Sequence, residues 1–172
     1  MNKITKKIAL IGILTAAYVV LSLSLKIPLG IGNIQLDLGY IALTVACLTC
    51  GAYAAIVGGL GALIESACFS AYGISWGWIA MNAIIGIVCG VLLRNVYNYN
   101  GRQFFARFGI IVAAVFLGVA AKTVIECSLY GIPYPVKIPK SFVAFIVDTI
   151  VMVIGLPIAT RVAKETAPTI RW

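Results

Sequence analysis

The sequence has no histidine and very little charge. Charged residues make up 10% of the 172 positions, and only five of them are acidic. Without histidine, Ser/His and Cys/His nucleophilic systems are excluded, and so is an ordinary transition-metal site. The glycine-rich stretch 58–61 lacks the lysine and the Ser/Thr of a phosphate-binding loop, so the chain is not expected to use ATP itself. We therefore predict a protein that is not an enzyme and holds neither a metal nor another cofactor.

Apolar residues dominate the composition instead. Hydrophobic residues account for 62% of the chain and the mean hydropathy is +1.08, whereas roughly a quarter of a soluble domain is charged. Since so few polar side chains cannot cover a globule in water, we predict an all-α integral membrane protein, with one domain over residues 1–172. The first apolar run, 8–25, has the length of a span and no small-residue cleavage site, so we expect it to be retained.

Six apolar segments are separated by short polar or Pro/Gly-rich connections. They cover residues 8–25, 36–50, 52–70, 78–95, 104–129 and 140–163. Because a span needs roughly 20 apolar residues, this pattern predicts six transmembrane helices. Gly51 is the tight link between the second and the third. The three prolines between residues 130 and 139 are expected to keep that connection out of a helix.

The five cysteines all fall within these apolar segments. Cys47 and Cys50 form a C-x-x-C, but neither a second pair nor any histidine accompanies it. We expect all five to be small buried apolar residues. They are Cys47, Cys50, Cys68, Cys89 and Cys127.

The net charge of +8 is distributed unevenly between the connections. With six spans and the N-terminus inside, nine basic residues fall on the inner side and three on the outer side, as the positive-inside rule requires. This predicts that both termini are cytoplasmic. Nucleic-acid binding is excluded because no stretch combines basic clustering with a soluble fold. The inner residues are Lys3, Lys6, Lys7, Arg94, Arg102, Arg107, Arg161, Lys164 and Arg171; the outer ones are Lys26, Lys137 and Lys140.

Rare polar residues fall in the outer halves of the predicted spans. An ionised group at mid-bilayer costs on the order of 3 kcal/mol, so such residues persist mainly in pairs or around watery cavities. A channel or proton relay needs polar groups through the whole thickness, whereas a pocket filled from outside needs them only in the outer half. We therefore predict a small-molecule site near the outer face. Its candidate residues are Asp37, Glu65, Asn82, Lys122, Glu126 and Asp148, with Tyr72, Trp76 and Trp78 near the outer interface.

Each candidate also has a structural interpretation. Lys122 and Glu126 lie four residues apart, so they could form an ion pair on one helical face instead of binding a ligand. Glu65 has no basic residue nearby in sequence, and we favour it as a ligand contact. The remaining alternatives are a hydroxyl partner for Asp148, a helix start for Asp37, an interhelical hydrogen bond for Asn82, and interfacial anchoring for Tyr72, Trp76 and Trp78.

Four stretches together resemble the substrate-binding S component of energy-coupling factor (ECF) vitamin transporters. They are IALIGILTAAYVVLSLSLKIPLG, IQLDLGYIALTVACLTCGAYAAIVGGLGALIES, YGISWGWIAMNAIIGIVCGVLLRN and LYGIPYPVKIPKSFVAFIVDTIVMVIG. The resemblance implies a six-helix monomer in the bacterial plasma membrane, surrounded by lipid. It also implies a vitamin bound under the outer loops, and uptake with a transmembrane T component and two cytoplasmic ATPases. Ala9, Gly12, Ala16 and Ala17 resemble the small-residue surface by which such proteins dock on the T component.

The identity of the vitamin stays open at this point. A neutral to acidic pocket favours riboflavin, pyridoxine or a thiamine precursor over folate, pantothenate or a queuosine precursor. The alternative from another class is a self-contained channel or secondary permease.

Overall fold

The computed structural model describes residues 3–24, 27–28, 35–70, 73–94 and 101–166, which form a helical bundle. A 3-10 turn, Gly51–Tyr53, joins the second helix to the third. Strands β1 (Ile27–Pro28) and β2 (Gln35–Leu36) form a two-residue antiparallel ladder, in which Ile27 pairs with Leu36. The helices are α1 (Lys3–Ser24), α2 (Gly39–Cys50), α3 (Ala54–Phe69), α4 (Trp76–Arg94), α5 (Gly101–Tyr130) and α6 (Tyr134–Thr166).

Five stretches of these helices are long and apolar enough to cross a membrane. The predicted all-helical architecture is confirmed, and these five stretches fit a membrane protein. Large apolar side chains cover the outside of the bundle: Phe105 is 75% exposed and Ile8 66%. Helices suit such surroundings because they satisfy their own backbone hydrogen bonds where no water can. The candidate spans are Ile4–Ser24, Gly39–Phe69, Trp76–Leu93, Gln103–Tyr130 and Tyr134–Thr166.

The candidate span Gly39–Phe69 contains both α2 and α3, and the chain reverses between them. The Leu43 side chain of α2 lies 3.1 Å from the position a Cβ on Gly58 of α3 would take. At the reversal, Gly51 has a φ of 59°, which glycine adopts without the steric penalty of a side chain. The two helices therefore pack antiparallel, as the tight link at Gly51 predicted.

Helix α2 lies at the centre of the bundle. All of its residues except Ile41 are buried, and it packs against α1, α3, α4 and α6. Helix α4 in turn packs against α3 and α5, and α5 packs against α6. Tyr18, Tyr40 and Met81 are among the largest fully buried side chains of this core. Two of these are tyrosines, so the packed interior carries hydroxyl groups as well as apolar surface.

One end of the bundle gathers the connections α1–α2, α3–α4 and α5–α6, and we call it the polar end. There Ser22 of α1 contacts both Asp37 and Glu65, and Glu126 of α5 pairs with Lys137 of α6. At the opposite end, the Arg107 guanidinium of α5 donates a 3.2 Å hydrogen bond to the Thr160 hydroxyl of α6. Three of the five acidic residues, Asp37, Glu65 and Glu126, thus lie at the polar end.

The expectation that prolines keep residues 130–139 out of a helix is wrong for the second half of that connection. Helix α6 begins at Tyr134 and includes Pro139. Pro135 occupies the first helical turn, where backbone N–H groups have no intrahelical partner, so it removes no bond. The Pro133 carbonyl accepts hydrogen bonds from the N–H groups of Val136 and Lys137 at 3.1 and 3.2 Å. These bonds satisfy the new helix start.

Two further expectations need correction. Helices α1, α4 and α5 begin before the apolar segments drawn for them, because the basic or aromatic residues ahead of each segment continue the helix. Cys68 is exposed on the surface of α3, since it lies on the outward face of that helix, whereas the other four cysteines are buried.

Glycines allow α4 to approach the start of α3 closely. A Cβ on Gly86 would come within 2.6 Å of the Ala54 carbonyl group, a distance that real Cβ atoms do not reach. A Cβ on Gly59 of α3 would meet only the Ala83 Cβ, at an ordinary 3.6 Å. This contact aligns α4, which carries several polar residues of the polar end.

We expect Gly86→Ala to lower the thermal stability of the detergent-solubilised protein, because overpacking costs about 1–3 kcal/mol. Gly59→Ala is the matched control and should be neutral or stabilising, since alanine favours a helix by about 1 kcal/mol over glycine. Thermal unfolding curves compare the two. Equal stability of both variants would contradict the close approach of α4 to α3.

Candidate functional site

Two buried carboxylates meet at one serine hydroxyl at the polar end. The Ser22 Oγ lies 3.0 Å from Asp37 Oδ2 and 2.6 Å from Glu65 Oε2. All three side chains are at least 94% buried. Since a hydroxyl has one proton, it can donate to only one of these carboxylates at a time. Asp37 Oδ1 also accepts the Gly39 N–H at 2.7 Å, so this carboxylate satisfies the first backbone donor of α2.

A second network joins α1 to α4. The Tyr18 hydroxyl donates to Asn82 Oδ1 at 3.2 Å, and the Asn82 amide donates to the Trp78 carbonyl at 2.9 Å. Tyr18 and Asn82 are fully buried. The interhelical hydrogen bond that was the alternative to ligand binding for Asn82 is therefore present, and it fixes the orientation of the amide next to Trp78.

Lys122 and Glu126 contact different partners. Glu126 forms its ion pair with Lys137 of α6. A Cβ on Gly77 of α4 would lie only 2.7 Å from the Glu126 Cγ, so this glycine allows α4 to pack closely against α5. The Lys122 ammonium lies 4.2 Å from the centroid of the Trp78 ring, within the range of a cation–π contact. Lys122 also interacts electrostatically with Glu126 and Asp148. The ion pair proposed from sequence spacing is thus replaced by one between helices.

Asp148 of α6 faces Tyr40 of α2 across the same region. The two interact electrostatically, but neither Tyr40 Oη nor Asp148 Oδ2 has a hydrogen-bond partner among the described residues. The Trp78 Nε1 lies near the Tyr18 hydroxyl but likewise has no partner with hydrogen-bond geometry among the described residues. The edge of Tyr40 packs on the Trp78 ring, with centroids 6.3 Å apart and an interplanar angle of 67°. Three unpaired polar atoms therefore lie around one aromatic pair.

The structure brings most of the predicted site residues to the polar end. Asp37, Glu65, Asn82, Glu126 and Asp148 are all buried there, and Lys122 lies over Trp78. Trp76 stands apart, because it opens α4 and is 56% exposed, as suits an interfacial anchor. Tyr72 lies outside the described residues.

Sequence reasoning missed four residues of this site. Ser22, Tyr18, Tyr40 and Lys137 all contact the predicted set. The two tyrosines were detectable in principle, because a hydroxyl-bearing ring inside an apolar span needs a polar neighbour. Ser22 gave no such signal, since serine is common in membrane helices and its role depends on which helices meet.

The predicted docking residues of α1 are divided between two faces. Ala9, Gly12 and Ala16 are exposed, whereas Ala17 is partly buried and packs on the core. A Cβ on Gly12 would meet no atom within 4 Å. The open small-residue surface of α1 therefore consists of Ala9, Gly12 and Ala16.

The acidic residues do not form a metal centre in the described part of the chain. No group of three or more His, Cys, Asp or Glu side chains is placed there to hold an ion. What the arrangement offers is hydrogen bonding: carboxylate acceptors, indole and phenol donors, and one ammonium group, enclosed by aromatic rings.

Comparisons with known proteins agree with this picture. A family model described as "ECF-type riboflavin transporter, S component" matches residues 2–164. The chain is also 30% identical over 171 residues to the "UPF0397 protein" of Enterococcus faecalis (strain ATCC 700802 / V583), which covers 95% of this chain and 91% of that protein. No solved structure matches.

Proposed function

Because the chain belongs to the family of ECF-type riboflavin transporter S components, we propose that it binds a water-soluble vitamin or vitamin precursor from outside the cell. Partner subunits that hydrolyse ATP then drive uptake across the bacterial plasma membrane. The family description names riboflavin, which makes riboflavin the first candidate, with a thiamine precursor and pyridoxine as the others. The family is one of transporter subunits, so the chain itself is proposed to have no catalytic activity.

The observation that carries this proposal is the concentration of buried polar groups at one end. Asp37, Glu65, Glu126 and Asp148 are each at least 93% buried there. Ionisable residues inside membrane segments are costly and mark ligand or ion sites. Hydroxyl groups of α1 and α2 lie close to the carboxylates, beside the aromatic pair of Tyr40 and Trp78, as in a pocket for a small polar molecule.

The alternative of a self-contained channel or permease is less well supported. Beyond the polar end, most buried polar side chains of the described helices are threonines that bond the carbonyl four residues earlier, for example Thr44 and Thr49. Arg107 lies near the opposite end and is held by α6. A polar route through the whole thickness, which conduction requires, has little support from these residues.

We further propose six spans with both termini in the cytoplasm. The antiparallel packing of α2 and α3 supports two spans within Gly39–Phe69. Helix α2 has 12 residues and is therefore about 18 Å long, short of the ~30 Å hydrocarbon core. The central position of α2 still supports its assignment as a span, because neighbouring helices surround it. Basic residues at both chain ends and near the end of α4 support a cytoplasmic location opposite the polar end.

The open face of α1 is the proposed docking surface for the transmembrane T component. Small residues let helix backbones approach closely where no hydrophobic force drives association in lipid. Ala9, Gly12 and Ala16 provide such a surface, and nothing in the bundle covers the Gly12 position. Two cytoplasmic ATPase subunits complete the proposed transporter.

The first test concerns Glu65. We expect Glu65→Gln to weaken binding of the co-purified ligand about ten- to hundredfold in Kd, because a lost charged hydrogen bond costs about 1.5–3 kcal/mol. Ser22→Ala removes the hydroxyl that Glu65 contacts and should cost less affinity if Glu65 itself touches the ligand. Val88→Ala, towards the opposite end, is the control. Isothermal titration decides, and unchanged affinity in Glu65→Gln would remove this residue from the site.

The second test concerns the partner subunits. In vesicles with a T component and its ATPases, Gly12→Leu should reduce ATP-dependent uptake severalfold and leave ligand affinity of the isolated chain unchanged. Gly109→Leu is the matched control, because Gly109 of α5 is also exposed with no atom within 4 Å of its Cβ position. Concentrative uptake by the chain alone, or equal uptake with both variants, would contradict the proposed assembly.

A further inference from the structure

Three polar atoms at the polar end are buried without a partner among the described residues: Tyr40 Oη, Trp78 Nε1 and Asp148 Oδ2. They come from three different helices, α2, α4 and α6. Tyr40 is fully buried and Asp148 is 3% exposed. A buried polar group that lacks a hydrogen bond typically lowers the equilibrium constant for folding by about five- to 150-fold. Three such groups around one aromatic pair therefore favour an external partner.

Neighbouring polar groups are already engaged. The Asn82 amide donates to the Trp78 carbonyl and its oxygen accepts from Tyr18, and Glu126 pairs with Lys137. The Tyr40 hydroxyl lies near the Asp148 carboxylate, and the Trp78 indole lies near the Tyr18 hydroxyl, but neither contact has the geometry of a hydrogen bond. The surrounding residues thus leave two donors and one acceptor to be satisfied.

The chemistry of these atoms defines their complement. The indole N–H of Trp78 only donates, the phenol of Tyr40 can donate, and a carboxylate oxygen accepts. A molecule that satisfies all three presents one N–H or O–H donor and two acceptors. The Tyr40 and Trp78 rings enclose this region with flat apolar surface, which suits a planar molecule.

The position of Lys122 further restricts the chemistry of the molecule that could bind here. Its ammonium lies over the Trp78 ring at 4.2 Å from the centroid, so that face of the indole is covered and the N–H edge is left for recognition. The Lys122 ammonium is also close enough to the Asp148 carboxylate to interact with it electrostatically. Since Asp148 already has a nearby positive charge, the bound molecule does not have to supply one.

We propose, on the basis of the proposed function, that Tyr40, Trp78 and Asp148 read the hydrogen-bonding edge of a neutral, flat nitrogen heterocycle. A ring or amino N–H of the ligand donates to Asp148, and ring nitrogens or carbonyl oxygens accept from Tyr40 and Trp78. Imide edges, as in riboflavin, and aminopyrimidine edges, as in hydroxymethylpyrimidine, both have this pattern. Tyr40 thereby becomes a specificity-determining residue.

The experiment uses two matched ligand pairs with the purified full chain. Riboflavin is compared with its analogue methylated on the imide nitrogen, and hydroxymethylpyrimidine with its dimethylamino analogue. For the parent compound that binds, blocking the N–H should raise Kd at least about tenfold, since a charged hydrogen bond is lost. Asp148→Asn should weaken the parent by a similar factor and reduce the discrimination between parent and analogue.

Tyr40→Phe separates ligand recognition from a structural role. It removes only the hydroxyl, so it should weaken ligand binding about five- to tenfold while the unliganded protein stays as thermally stable as the wild type. Tyr53→Phe removes the same atom from an exposed tyrosine near the opposite end and should leave ligand binding unchanged. A loss of unliganded stability in Tyr40→Phe would show a protein partner for the hydroxyl and overturn the inference.

Equal binding of parent and blocked analogue would also overturn the inference, and would leave the proposed function intact because a vitamin still binds. If neither parent binds up to millimolar concentration, the inferred ligand class is wrong. The proposed function fails separately, if the reconstituted transporter takes up no vitamin at all.

Discussion

A polar group inside a membrane bundle needs a partner, and this requirement organises the whole molecule. Backbone groups are satisfied within helices, so the burden falls on the few polar side chains. Most of them lie at one end of the bundle, where the Ser22 hydroxyl contacts Asp37 and Glu65, and Lys137 forms an ion pair with Glu126. The remaining unpaired atoms then lie together rather than scattered, which is why they indicate a ligand rather than isolated defects in packing.

Close helix packing makes this arrangement possible. Gly86 lets α4 touch the start of α3, and Gly58 lets α3 approach Asn82 of α4. These contacts set the position of Asn82 and Trp78 relative to Tyr18 and Tyr40. A bulky residue at either glycine would move the Trp78 indole away from the Tyr40 ring and the Lys122 ammonium. The small residues in the interior thus determine site geometry, whereas those on α1 face outwards and remain available to a partner.

Much of this could be predicted from the sequence, for physical reasons that also explain the misses. An acidic residue in an apolar run is conspicuous, so Glu65 and Asp148 were identified without a structure. Their partners were not, because Ser22 lies 43 residues from Glu65 and the contact exists only once α1 packs on α3. Helical spacing left an ion pair between Lys122 and Glu126 as one alternative, but the structure pairs Glu126 with Lys137 instead. Nothing in the sequence indicated this pair, because the prolines hid the fact that α6 begins at Tyr134 and so includes Lys137.

Binding of a vitamin at the polar end can be tested by mass spectrometry of the small molecules released from purified protein, with wild type and Glu65→Gln prepared in parallel from the same cells. We expect the wild type to retain a flat nitrogen heterocycle in near-stoichiometric amount and Glu65→Gln to retain much less of it. Retention of no small molecule by the wild type, or of equal amounts by both proteins, would contradict a vitamin site at the polar end.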